Sequence, residues 1–174
     1  RDVDLLATLA RHRAVAVSLS VTTLRPDLAR LLEPRASSPA RRLAAIRVLA
    51  DAGVPAGVSV APVIPGLTDH ELPAILEAAA QCAREGVEVH PEIMVPQVAT
   101  VEELRRIHGY VQRLHKVVDL THGINVRFKF GSMIEVVRAC MRAGRLAETA
   151  EFFSFGTNDL TQATFSFSRE DAEN

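Results

Sequence analysis

Short apolar, β-branched runs alternate with longer amphipathic segments along the whole chain. We predict β-strands at residues 14–21, 56–64, 87–98, 124–134 and 152–158. Between them, the spacing of apolar positions is typical of helices. Strict alternation of strand and helix indicates a parallel sheet with right-handed crossovers, and the nearly continuous apolar runs favour strands buried on both faces.

Capping signals mark two of the predicted helices clearly. Ser38 is a suitable N-cap, Pro39 suits the first helical position, and Gly53 can close that helix in the left-handed conformation. Thr100 and Glu103 have the spacing of a capping box. The helix that follows has an apolar face at three- and four-residue steps: Val101, Leu104, Ile107, Val111, Leu114 and Val118.

Two further helical segments are less regular. Thr68 and Glu71 also have capping-box spacing at the start of a segment that closes at Gly86. Pro73 removes an early helical hydrogen bond, so we expect this helix to begin about one turn later. A last helix is predicted from about residue 135 to 150, with an interruption near Gly144.

The repeat of about 35 residues per strand–helix unit limits the fold. A complete eight-unit barrel needs about 250 residues, whereas this chain has 174. We therefore predict an α/β fold with about five parallel strands, either a partial TIM-type (βα) barrel or an open sheet. Its first and last strands would be unprotected edges, which predicts self-association.

Composition narrows the classes of function. Hydrophobic residues make up 48% and charged residues 24% of the chain, and the formal net charge is −1. We therefore expect neither nucleic acid nor a membrane as partner. The chain starts at Arg1 without a secretory pattern, so we expect it to begin inside a longer reading frame. Cys82 and Cys140 form no CxxC pair, which favours core cysteines in a cytoplasmic protein and no iron–sulfur cluster.

Ligands of parallel α/β folds bind beyond the carboxyl ends of the strands. Polar groups follow three predicted strands, in "PVIPGLTDHE", "FGSMIE" and "SFGTND". Glu135 and Asp159 follow consecutive strands, and neighbouring strands lie about 4.8 Å apart. Two such carboxylates with open water positions suit Mg²⁺. Gly156 permits a sharp turn, after which backbone amides can hold an anion.

A plainer interpretation of the same acids stays open. Asp159 could cap the next helix, and Glu135 could be a solvated acid in a first helical turn, favoured by the helix dipole. The six histidines show no HxH or HxxxH spacing. We expect each of them to be a surface or packing residue.

Three segments in the second half resemble one known family. "GVEVHPEIMVPQVATVEEL", "GSMIEVVRA" and "AEFFSFGTNDLTQATFSFSRED" closely resemble the C-terminal phosphoenolpyruvate-binding barrel of pyruvate, phosphate dikinase and its relatives, from about residue 81 to 171. The resemblance implies that Glu135 and Asp159 bind Mg²⁺. It implies that Gly156, Thr157 and Asn158 help to hold the carboxylate of phosphoenolpyruvate, pyruvate or an oxalate-like anion.

Several positions depart from the usual pattern of that family. Ser132 replaces a Thr, Val137 replaces a Pro, and "VPLVG" has become "VPQVA" with Gln97 and Ala99. The nucleotide-binding domain, the phosphohistidine segment and the proton-donor cysteine strand of the family are not part of this sequence. The resemblance thus implies a phosphotransferase site without a complete set of catalytic residues.

The first half resembles a different family. Residues 14–80, with Ser18, Ser20, Arg35 and Pro62, are similar to the middle of a radical S-adenosylmethionine protein of the spore-photoproduct-lyase-like group. The CxxxCxxC cluster motif of that group is not present. The two resemblances meet at residues 78–82, so we predict one α/β domain over 1–174, assembled as a chimera of segments 1–80 and 81–174.

Three functions remain open from the sequence. The chain could be a fragment or chimera that carries a Mg²⁺–phosphoenolpyruvate half-site and is inactive alone. It could be a non-catalytic hybrid without an evolved function. It could also be a remnant of a radical S-adenosylmethionine protein that has lost its cluster.

Overall fold

A computed structural model describes residues 2–60 and 68–172 of the chain. The last part of the second predicted strand, including Pro62, lies outside these residues. The chain divides into two compact units, residues 1–72 and 73–174. Each unit has its own parallel sheet and is described separately.

The first unit contains a two-stranded parallel sheet and its helices. In chain order its elements are α1 (Val3–Arg11), β1 (Val17–Ser20), α2 (Pro26–Leu32), α3 (Pro39–Asp51), β2 (Ala56–Ser59) and a 3₁₀ turn (Asp69–Glu71). Strand β1 pairs with β2 in register from Val17 opposite Ala56 to Ser20 opposite Ser59. Helices α1 and α2 were not predicted from the sequence.

Helix α3 has the predicted start and end. The Ser38 hydroxyl accepts a hydrogen bond from the N–H of Arg41, and Pro39 occupies the first turn. Gly53 follows with φ of +73°, a backbone conformation that glycine adopts without strain. These local signals are therefore confirmed.

The sheet of the first unit is exposed on one side, contrary to our expectation of burial on both faces. Along β1, half-buried Val17 and Leu19 alternate with exposed Ser18 and Ser20. In β2, Val58 is 48% exposed. The alternation of apolar residues with serine has a period of two, which is the pattern of a strand with one solvated face.

The second unit contains a three-stranded parallel sheet in the order β3–β4–β5. Its elements are α4 (Leu72–Arg84), β3 (Glu92–Val95), α5 (Val101–His122), β4 (Lys129–Ile134), α6 (Val137–Met141), α7 (Ala143–Leu146), β5 (Phe152–Phe155), α8 (Thr157–Phe165) and α9 (Arg169–Ala172). The predicted interruption near Gly144 corresponds to the break between α6 and α7. Helix α4 begins after the 3₁₀ turn, one turn later than Thr68, as Pro73 suggested.

Strand β4 lies at the centre of the main core of this unit. Phe130, Ser132 and Ile134 on one face and Gly131 on the other are buried, so burial on both faces is confirmed here. Helix α5 covers the sheet with the buried residues Val101, Leu104, Val111 and Val118. Its capping box is formed: Thr100 Oγ1 accepts from the N–H of Glu103, and the Glu103 carboxylate accepts from the N–H of Thr100.

The α/β class and the parallel pairing of the five strands are confirmed. Hydrogen bonds among the described residues group the strands as two and three. A continuous five-stranded partial barrel stays a prediction, as does the division of one domain at residue 80. Residues 78–82, where the two resemblances meet, lie inside helix α4.

Candidate functional site

The carboxyl ends of β3, β4 and β5 meet at one edge of the three-stranded sheet. Val95 lies opposite Ser132, and Ile134 lies opposite Phe155. The segments that follow these strands are therefore neighbours. They include Glu135 after β4 and Gly156 after β5, two of the residues that the sequence predicted for a site.

Glu135 is a buried carboxylate at this edge. Only 5% of its surface is exposed, and its Oε1 atom accepts a hydrogen bond of 2.6 Å from the backbone N–H of Gln97. Among the described side chains, no Lys, Arg or His nitrogen lies within 4.0 Å of it. A buried charge is costly unless hydrogen bonds or a counter-charge compensate it. The alternative of a solvated first-turn acid is therefore wrong for Glu135.

Gly156 provides the room that the Glu135 side chain occupies. A Cβ atom at position 156 would lie 2.5 Å from Glu135 Cβ and 2.7 Å from its Oε2 atom. The backbone N–H of Gly156 donates to the carbonyl of Ile134 at 3.0 Å, which continues the pairing of β4 and β5 past the last strand residues. Gly156 is thus required for space beside the carboxylate, rather than for a positive φ, since its φ is −82°.

Thr157, Asn158 and Asp159 form the first turn of α8. All three are exposed. The N-cap of α8 is Gly156, and no side chain makes a capping hydrogen bond there, so the alternative that Asp159 caps this helix is wrong. Asp159 lies inside the first turn, where an acid interacts favourably with the helix dipole. The first N–H groups of a helix have no intrahelical acceptor, so this turn also presents donors to an anion.

Sequence reasoning missed the contribution of β3. It placed Gln97 among the departures from a family pattern, whereas the structure makes its N–H the hydrogen-bond donor to Glu135. Ser132, another of these departures, is fully buried, and its hydroxyl lies 3.5 Å from the carbonyl oxygen of Val95. The available signal was position: Gln97 lies two residues after Val95, the last residue of the strand that neighbours β4 in the parallel sheet.

The donor set fits a hard cation that keeps part of its water shell. No group of three or more His, Cys, Asp or Glu residues suited to a metal ion occurs in the described part of the chain. Two carboxylates follow the ends of β4 and β5: Glu135 is buried beside Gly156, and Asp159 is exposed in the first turn of α8. Mg²⁺ binds through one or two carboxylates together with water and substrate oxygens, so these residues suit it.

The first unit has a polar cluster beyond the carboxyl end of β1, at a cavity of about 90 Å³. Thr22 Oγ1 donates to Glu33 Oε2 at 2.7 Å, and Arg42 Nη1 lies 3.1 Å from the same oxygen. Arg42 also donates to the carbonyl of Ser20 at 2.6 Å. The hydrogen bond from Thr22, and then the pairing with Arg42, hold the pKa of Glu33 below its ordinary range. The cluster ties α2 and α3 to the end of β1.

Cysteines and histidines supply no further site among the residues that the structure describes. Cys82 is half-buried and Cys140 is exposed, and both are free thiols, so the prediction of a core residue is wrong for Cys140. The His108 ring packs against Phe130 with ring centroids 4.7 Å apart, and the His115 ring meets Phe128 edge to face at 4.9 Å, as expected of packing residues. None of the described helices has the length and apolar character needed to span a membrane.

Comparison with known families agrees with the two resemblances. Residues 55–174 match the profile of the family described as PEP-utilising enzyme, PEP-binding domain, where PEP is phosphoenolpyruvate, and the chain belongs to this family. Residues 1–79 also match the Radical SAM superfamily. The two matches overlap at residues 55–79, which include the first part of helix α4.

Among individual proteins, the chain is similar to pyruvate, phosphate dikinases. The enzyme from Giardia intestinalis is 47% identical over 116 residues, which cover 67% of this chain and 13% of the relative. The enzyme from Entamoeba histolytica is 45% identical over 119 residues, 68% of this chain and 13% of the relative. A chloroplastic form from Arabidopsis thaliana is 50% identical over 107 residues, 62% of this chain and 11% of the relative. The chain thus spans about an eighth of the length of these relatives.

Proposed function

We propose that the chain carries the Mg²⁺- and phosphoenolpyruvate-binding half-site of a phosphotransferase of the pyruvate, phosphate dikinase type. Glu135 and Asp159 are the proposed metal ligands. Gly156 and the backbone at Thr157 and Asn158 are the proposed site for the substrate carboxylate. The observation that carries the proposal is the buried Glu135 carboxylate, which accepts a hydrogen bond from the backbone N–H of Gln97 and packs against Gly156.

Each part of this edge has a defined role in the proposal. Glu135 presents a pre-oriented carboxylate, because one of its oxygens is already hydrogen-bonded. Asp159 supplies the second negative charge from the first turn of α8. The N–H groups of that turn orient the carboxylate of the substrate. A bound Mg²⁺ would stabilise the negative charge that develops when phosphoenolpyruvate loses its phosphoryl group.

The proposal concerns binding and not independent turnover. The chain spans 13% of the Giardia relative, and phosphoryl transfer depends on positioning several charged groups around the transferred phosphate. We therefore propose that this chain binds Mg²⁺ with phosphoenolpyruvate, pyruvate or oxalate and does not catalyse transfer alone. We also propose that the chain is cytoplasmic, that its strands form a partial barrel, and that it self-associates through strand edges.

The test is a Mn²⁺ titration followed by electron paramagnetic resonance, with and without oxalate as an enolate mimic. Wild type should bind Mn²⁺ more tightly when oxalate is present. Glu135→Gln and Asp159→Asn should each weaken binding by more than the roughly 10–100-fold typical of lost outer-shell partners.

Glu92→Gln is the matched control for Glu135→Gln. Glu92 is an exposed acid at the amino end of β3, the opposite end of the same sheet. Its substitution should leave Mn²⁺ and oxalate binding unchanged. If Glu135→Gln and Asp159→Asn bind Mn²⁺ and oxalate as wild type does, the proposed half-site is wrong.

A further inference from the structure

The backbone amide of Gln97 is the hydrogen-bond donor that holds the buried Glu135 carboxylate, at 2.6 Å from Oε1. The donor comes from the segment after β3, whereas the acceptor follows β4. In the register of these strands, Val95 lies opposite Ser132. Glu135 therefore reaches across the gap between two parallel strands to a partner outside its own strand.

Gln97 adopts an unusual backbone conformation to make this contact. Its φ is +55°, in the left-handed region that residues with a Cβ atom rarely occupy. Such strain persists where the surrounding structure requires it, and it concentrates at functional sites. Val98, the next residue, is 2% exposed and packs in the main core, so the chain turns sharply between the strand end and a buried anchor.

The Gln97 side chain is exposed, and its backbone N–H carries the contact. This separates two possible roles for the residue. A role of the amide depends on the backbone conformation and survives replacement by glycine. A role of the side chain would be lost in any substitution.

We infer that Gln97 is a positioning residue, whose left-handed backbone directs its N–H at Glu135 Oε1 and thereby aims Oε2 towards Gly156 and the metal position. This inference rests on the proposed function, because it assigns the purpose of the hydrogen bond to metal binding. Outer-shell hydrogen bonds of this kind orient ligating carboxylates, and their loss typically lowers metal affinity on the order of 10–100-fold.

Four substitutions at position 97 test the inference in the full chain by Mn²⁺ titration with and without oxalate. Gln97→Gly keeps the N–H and favours a positive φ, and Gln97→Ala removes only the polar side chain, so both should bind within about twofold of wild type. Gln97→Val disfavours the left-handed conformation, and Gln97→Pro removes the donor. Both should bind Mn²⁺ about 10–100-fold more weakly.

Arg13→Val is the matched control for strain. Arg13 is an exposed residue with φ of +53° in the first unit, so this substitution introduces the same conflict outside the unit that carries the site. It should leave Mn²⁺ binding unchanged. Far-ultraviolet circular dichroism and the urea midpoint of each variant check that a loss of binding does not reflect unfolding.

A measurement without metal tests the hydrogen bond from Gln97 N–H to Glu135 Oε1 directly. It does not depend on whether Gln97→Pro folds. In NMR spectra, the backbone amide proton of Gln97 should resonate further downfield in wild type than in Glu135→Gln, because a carboxylate accepts a stronger hydrogen bond than an amide oxygen does. If Glu135→Gln weakens Mn²⁺ binding but Gln97→Val and Gln97→Pro bind normally, the positioning role is wrong. The same holds if Gln97→Gly binds as weakly as Gln97→Pro, or if the amide shift does not respond. If Glu135→Gln itself leaves binding unchanged, the proposed function fails instead.

Discussion

The carboxylate of Glu135 occupies the space that a side chain at Gly156 would need. A Cβ atom at Gly156 would lie 2.7 Å from Glu135 Oε2 and 3.2 Å from Met133 Sδ. The two residues follow neighbouring strands at the same edge of the sheet. The position of the Glu135 carboxylate, the proposed metal ligand, therefore depends on a residue without a Cβ atom at position 156 after the neighbouring strand.

Gly156→Ala should disturb both binding and stability. We expect weaker Mn²⁺ and oxalate binding, because the new methyl group displaces the Glu135 carboxylate, and a loss of about 1–3 kcal/mol in the free energy of unfolding. Gly144→Ala is the control, since a Cβ there meets nothing within 4 Å. It should stabilise by about 0.5–1 kcal/mol. Unchanged binding in Gly156→Ala would contradict the prediction.

Gly131 should tolerate a methyl group poorly because of the Phe152 ring. A Cβ at position 131 would lie 2.6 Å from ring atoms of Phe152 on the neighbouring strand. We expect Gly131→Ala to lower the free energy of unfolding by about 1–3 kcal/mol in urea denaturation. In a Phe152→Ala background the same change should cost less, because contacting residues are coupled. If the effects of Gly131→Ala and Phe152→Ala on the free energy of unfolding are strictly additive, this explanation is wrong. Gly57→Ala is the control: a Cβ atom at this strand glycine meets nothing within 4 Å, so the substitution should have little effect.

Glu33 should make the stability of the chain depend on pH in the acid range. Its pKa is lowered in the folded state by the hydrogen bond from Thr22 and by Arg42. Its contribution to the free energy of unfolding is therefore complete above the ordinary pKa of a glutamate. That contribution is lost as the pH falls through the lower folded-state pKa.

Urea midpoints measured across the acid range check this prediction. Glu33→Gln and Thr22→Val should both flatten the dependence on pH relative to wild type. Thr8→Val alters an exposed threonine on α1 that bonds to Asp4 and Arg11, and it should keep the wild-type dependence. If the urea midpoint of Glu33→Gln depends on pH as that of wild type does, Glu33 does not contribute to the pH dependence of stability.

The capping box at the start of α5 should contribute measurably to stability. Thr100→Ala removes the acceptor for the Glu103 N–H and should lower the free energy of unfolding by about 0.5–2 kcal/mol. Thr121→Ala at the other end of α5 removes only a bond to the carbonyl of Val117, so its effect should be within about 0.5 kcal/mol. Equal effects of the two substitutions in urea denaturation would argue against a capping role.

The edge of β5 should promote self-association. In the described residues β5 pairs only with β4, and Phe155 on this strand is 65% exposed. Unpaired strand edges are templates for pairing with another chain. We expect sedimentation velocity to show an average mass that rises with protein concentration. Phe155→Lys should reduce this rise. Met141→Lys changes an 80% exposed residue outside the strands and should leave self-association unchanged. A wild-type chain that stays monomeric at high concentration would overturn this prediction.

Local patterns predicted the helices with strong caps well, and the tertiary contacts less well. The apolar face of α5 is buried at Val101, Leu104, Val111 and Val118, whereas Ile107 is 37% exposed, because burial depends on what packs against each position. The fourth and fifth strands were predicted several residues too long. In the fourth strand the extra residues Ile124, Val126 and Phe128 have β-branched or aromatic character but no partner strand, and propensity alone does not include pairing. In the fifth, the extra residues Thr157 and Asn158 begin helix α8 instead.

Local sequence patterns were enough to predict the α/β alternation, the caps at Ser38 and Thr100, and the placement of Glu135 and Asp159 after consecutive strands. These features depend on residues close together in the chain. Three features became visible only in the folded chain: the grouping of strands into sheets of two and three, the burial of Glu135, and the donor role of the Gln97 backbone N–H. Strand order, register and the direction of a backbone N–H arise from contacts between distant segments, and no local pattern encodes them.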